Sequence, residues 1–172
     1  MPLFIDRLPF HCWTDATRSP PLLYWTVVLP VVATEPLLTV PPAASLAQDW
    51  VLDTGNHGEA LAWRYHLLQA GLDPDQRRLP RPMTIRTVTG GISVPVRDVD
   101  LWLVSNLPGQ PLDPYRLMLH RGLPFQDTLA RPDPYFQRPL IGIRALRTAK
   151  LRVEIDFVHD TVSVWTPDPV TP

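Results

Sequence analysis

Twenty-two prolines against eight glycines constrain this chain more than any other feature of its sequence. Each proline removes a backbone N–H and fixes φ, which excludes long uninterrupted helices and favours short strands joined by stiff loops. The 172 residues leave room for one domain with a sizeable core and too little for two ordinary ones. Apolar residues make up 45% and charged residues 19%, a globular balance. A formal net charge of −1 offers no attraction to polyanions, so neither nucleic acid nor an anionic membrane surface is an expected partner. The single cysteine, Cys12, has no internal partner for a disulfide, which points to a reducing compartment such as the cytoplasm.

Along the chain, residues 1–21 read as an irregular N-terminal segment, 22–167 as the folded domain and 168–172 as a tail. The first residues carry Asp6 and Arg7 and no apolar run ending at a cleavage site, so no secretory leader is expected. The most apolar stretch, residues 22–40, is broken by Pro30, Glu35 and Pro36, and therefore reads as strands rather than a membrane span. Within it, residues 24–29 and 37–40 have strand composition. Residues 59–70 predict a helix with Leu61, Tyr65 and Leu68 on one face and Gly71 as its stop. Residues 84–89 and 92–96 predict a hairpin that turns at Gly90-Gly91. Residues 98–104 alternate, with Val99, Leu101 and Leu103 on one side, and are expected to pair with a strand far downstream. Residues 105–138 are proline-rich without a sustained period and predict a long surface insertion. Residues 140–146 are apolar, and 151–157 with 161–165 predict a closing hairpin around His159-Asp160.

The chemistry-bearing feature is Asp53-Thr54-Gly55, which follows the apolar pair Val51-Leu52. A carboxylate leaving a buried strand into a tight turn is well mounted for catalysis. Taken alone, the tripeptide equally suits a turn in which the aspartate caps its own backbone. Other chemistries find less support. His57 follows Asp53 by four positions, but no third and fourth ligand stand at metal-binding spacing, so no metal is expected. Gly-x-Ser-x-Gly is absent, and Cys12 lacks the basic or helix-start context that activates a thiol. His11, His66, His120 and His159 are scattered and read as solvated or locally hydrogen-bonded, Arg144 and Arg147 as solvated or paired with acidic residues at an interface, and the six tryptophans as packing.

The order of these features resembles the retropepsin-like aspartic proteases, in particular their small bacterial single-domain members, over residues 49–165. WVLDTG is similar to that family's catalytic turn, TVTGGISV to its flap, and PLIGIRAL to the segment that threads beside the turn before a short helix. Asn56, where the family has a small or aromatic residue, and the insertion at 105–138 depart from the pattern. The resemblance implies an all-β retropepsin-like barrel with one or two short helices, cleaving a peptide or protein substrate without a cofactor. It assigns catalysis to Asp53, the active-site turn and cross-dimer hydrogen bonding to Thr54 and Gly55, and the flap to Gly90 and Gly91. Leu140, Ile141 and Gly142 become the segment beside the site. The implied mechanism needs two carboxylates sharing one proton, and the chain holds one Asp-Thr-Gly, so a homodimer is expected to supply the second. A second reading keeps this fold as a dimeric peptide-binding or adaptor module in which Asp-Thr-Gly is only a structural turn.

Overall fold

The structure is a computed structural model describing residues 1–15, 19–36, 41, 45–54, 58–87, 90–108, 113–128 and 138–167. Strand formation dominates, as the prolines require. The chain opens with β1 (Leu3–Pro9), a hairpin of β2 (His11–Asp15) and β3 (Leu22–Thr26), then β4 (Val28–Thr34) and β5 (Gln48–Asp53). The predicted strand at 37–40 lies outside the described residues. Next come β6 (Ala60–Trp63) and α1 (Arg64–Gln69), the latter stopped where Gly71 takes φ +74°, a conformation open mainly to glycine. A second hairpin, β7 (Met83–Thr87) and β8 (Gly90–Val94), is followed by β9 (Val96–Arg97), β10 (Asp100–Leu103), β11 (Tyr115–Leu117) and β12 (Leu123–Gln126). The chain closes with β13 (Leu140–Gly142), α2 (Ile143–Thr148), β14 (Arg152–Asp156) and β15 (Thr161–Trp165). The described chain is thus mostly β with two short helices, as expected.

An eight-stranded sheet in the order β11-β10-β4-β5-β13-β6-β12-β9 curls into a half-barrel. A three-stranded sheet, β1-β15-β14, and the two hairpins β2-β3 and β7-β8 complete the described sheets. Their common core includes Ile5, Leu29, Trp50, Leu101, Phe125 and Val164, each at most 1% exposed. Pro30 sits inside the central strand β4, where it gives up one ladder donor while its carbonyl still accepts the amide of Val104 at 2.9 Å.

Several local expectations give way to tertiary demands. Residues 60–63 form a strand rather than the first turn of a helix, because β13 pairs with this segment on one side and β12 on the other. Helix α1 is consequently shorter, and it buries His66 and Leu67 rather than Leu68. The residues 98–104 strand, β10, pairs with β4 far upstream and with β11 a short way downstream, not with a strand far downstream. Nor is 105–138 a surface insertion throughout: β11 and β12 are strands of the large sheet, with Leu117, Leu123 and Phe125 buried. The N-terminal segment is no more irregular, since β1 pairs with β15 from Leu3↔Trp165 to Pro9↔Thr161. The closing hairpin matches expectation, with Asp156 Oδ1 accepting the amides of Val158 and His159 at 2.8 and 3.1 Å in its turn.

Candidate active site

Asp53 is the last residue of β5, a strand held on both sides. Antiparallel β4 flanks one edge in the register Val28↔Val51 and Leu29↔Trp50. Parallel β13 flanks the other in the register Leu140↔Val51, Ile141↔Leu52 and Gly142↔Asp53. The amide of Leu52 donates to the Val27 carbonyl at 2.9 Å and that of Val51 to the Pro139 carbonyl at 2.8 Å. With its backbone so satisfied and Trp50 buried beneath, the strand delivers a half-buried Asp53 into the turn begun by an exposed Thr54. Gly55, with Asn56 and His57, lies outside the described residues.

The fold therefore brings Leu140, Ile141 and Gly142 to Asp53 from 87 or more positions downstream. Strand β13 lies between β5 and β6, running parallel to the first and antiparallel to the second. It then turns into α2, whose backbone starts at Ile143 directly after Gly142. Such parallel insertion places the strand end carrying the carboxylate beside the start of a helix.

Gly90 and Gly91 lie in the β7-β8 hairpin, but not at its turn. They belong to the ladder of β8, as Thr87↔Gly90 and Arg86↔Gly91, so residues 88–89, outside the described set, connect the strands. Gly90 has φ +130°, which an L side chain rarely adopts, and this explains a glycine there. Gly91 has no such angle; a Cβ on it would approach Thr84 Cγ2 at 3.2 Å.

A group of side chains near Asp53 had no local signature in the sequence. Glu59, one residue before β6, has a buried side chain whose Oε2 accepts the His120 amide at 2.9 Å. Its Oε1 lies 2.9 Å from His120 Nδ1 and 3.8 Å from Arg144 Nε. The Glu59 carbonyl accepts the Gly142 amide at 2.9 Å, so Asp53, Gly142 and Glu59 stand in one row across neighbouring strands. Arg144, half exposed, faces Glu59 of its own chain rather than an acid at an interface.

The remaining titratable groups serve the frame. Arg64 bonds Asp75 and Asp127, and Arg78 bonds the same two carboxylates at 2.8 and 2.6 Å, tying α1 to the residues after β12. His66 Nδ1 accepts the Trp63 amide at 3.3 Å, the local role expected of it. Burial, and secondarily Arg138, push His11 below the ordinary histidine range. A groove of about 330 Å³ lined by Gln48, Asp49, His66 and Arg138 lies at the start of β5, the opposite end from Asp53. Among the described residues no cluster of three or more His, Cys, Asp or Glu is placed to hold a metal, and no helix is long and apolar enough to cross a membrane. Neither protein-family models nor curated proteins yield a match to this chain.

Proposed function

We propose that the chain is an aspartic endopeptidase acting as a homodimer, in which two Asp53 carboxylates, one from each subunit, activate a water against a peptide bond. The observation that carries this reading is the strand arrangement at Asp53: a carboxylate at the end of a central strand, in register with Gly142 of a parallel strand that passes directly into a helix. It combines with the resemblance of WVLDTG and PLIGIRAL to the retropepsin-like pattern. Two like charges about 3 Å apart cannot both ionise near neutrality, so the pair shares a proton. The ionised carboxylate takes a proton from the attacking water. The protonated one donates to the oxygen that gains charge as the tetrahedral intermediate forms. Thr54, exposed in one subunit, is free of the core and available for a hydrogen bond across the two-fold axis. The β7-β8 hairpin, a separate two-stranded sheet, serves as the flap in this reading.

Replacing Asp53 with Asn keeps the shape and removes the ionisable pair. Cleavage of a peptide library by Asp53→Asn should fall to background while sedimentation still reports the wild-type assembly. Cleavage at the wild-type rate would remove Asp53 from the chemistry. Peptide binding without cleavage by wild type, measured by calorimetry, would favour the non-catalytic module instead.

A further inference from the structure

Glu59 is an unusual residue to find at the edge of this site. Its side chain is only 8% exposed, and a buried carboxylate is costly unless it is charge-paired and hydrogen-bonded. The described residues supply both conditions from two other parts of the chain. His120, in the turn between β11 and β12, gives Glu59 its backbone amide and faces it with Nδ1, each at 2.9 Å. An ionised carboxylate only accepts, so Nδ1 carries the proton. Arg144, in the first turn of α2, stands 3.8 Å away. These are the charged groups that face Glu59 among the described residues, and Asp53 lies across Gly142 on β5.

The backbone of Glu59 completes the connection. Its carbonyl holds the Gly142 amide at 2.9 Å, and Gly142 is the register partner of Asp53. One residue thus fastens the approach to β6, the 118–122 turn and the start of α2 around the strand that flanks the candidate catalytic turn. Two strand spacings separate its backbone from that of Asp53, about 10 Å.

We propose that Glu59 is a positioning residue for Asp53: clamped by His120 and Arg144, it fixes Gly142 beside the catalytic turn. This rests on the reading of Asp53 as the catalytic carboxylate.

The test compares wild type, Glu59→Ala, Glu59→Gln and His120→Ala by kcat and KM of peptide cleavage and by thermal melts. Glu59→Ala removes both acceptor oxygens and keeps the backbone carbonyl, so kcat should fall about tenfold with little change in KM. Glu59→Gln keeps an acceptor for the His120 amide and should recover most of that loss. His120→Ala keeps the backbone donor and removes the ring contact, so kcat should fall several-fold with KM unchanged. A folded Glu59→Ala with wild-type kcat overturns the proposal. Should that variant fail to fold, wild-type kcat in His120→Ala overturns it equally. If wild type cleaves no peptide, the parent reading falls and this one with it; if wild type cleaves and the variants match its kcat, only this one falls.

Discussion

Gly90 and Gly91 differ in what they can tolerate, although they are neighbours on one strand. Gly90 has open space around an added Cβ, yet its φ of +130° makes any side chain strained. Gly91 has an ordinary φ, and its added Cβ would need Thr84 Cγ2 to yield by a few tenths of an ångström from 3.2 Å. Gly90→Val should therefore distort the end of the β7-β8 hairpin at about 1–3 kcal/mol and lower peptide turnover at least about tenfold, if this hairpin closes over substrate. Gly91→Ala should stay near wild type. Equal loss in both variants, measured as kcat/KM, would show that the backbone angle at Gly90 is not what sets this strand's tolerance. No loss in either would take the hairpin out of the catalytic cycle. At the same scale, the buried Arg97 illustrates how a cation is retained in the core: it bonds Glu35 at 2.5 Å and the carbonyls of Asp73 and Asp98 at 2.8 and 3.2 Å.

Among the elements, α1 depends most on charge, because its six residues are too few to be stable alone. Arg64 at its start is joined to Asp75 and Asp127, and Arg78 joins the same two acids. The hydrogen bond with Arg64 is the main cause holding both carboxyls below the usual carboxylate range. A depressed folded value means that the unfolded chain binds protons first on acidification. The network's contribution is therefore complete above the ordinary value of 3.8 and is lost as pH falls through the lower folded values. Melts of wild type and Asp127→Asn from pH 7 to pH 2 should show the variant a few degrees less stable at neutrality, with the gap closing below about pH 4. A gap that stays constant to pH 2 would mean that Asp127 acts by packing rather than by charge.

On the scale of the molecule, the eight-stranded sheet is a half-barrel, and Asp53 lies at the end of one of its central strands. In the proposed dimer the second carboxylate and the other wall of the cleft come from a partner copy. Thr54→Ala deletes the hydroxyl assigned to the cross-axis bond in both subunits, and should raise the dimer dissociation constant by about tenfold or more. Analytical ultracentrifugation across a concentration series measures this directly. A protein that stays monomeric at every concentration and still cleaves peptide would sink the shared-carboxylate mechanism.

The sequence by itself determined the elements whose signals are local. Proline content forced short strands, the β-rich runs around His159-Asp160 formed the closing hairpin, and Val51-Leu52 carried Asp53 to a strand end. It also put Leu140, Ile141 and Gly142 in an apolar run fit for a buried strand. What only the tertiary structure decided is who pairs with whom. Ala60–Trp63 has helix-forming residues, but lying between β13 and β12 it satisfies its backbone as a strand, and that burial outweighs a weak local propensity. Tyr115–Leu117 and Leu123–Gln126 sit in a proline-rich region without periodicity and become strands because the large sheet accepts the first at its edge and the second between β6 and β9. Glu59 and His120 are 61 positions apart, and no spacing rule links them. Periodicity reports which face of a segment is apolar; the partner that covers it, and the charges that meet at Glu59, follow only from folding the whole chain.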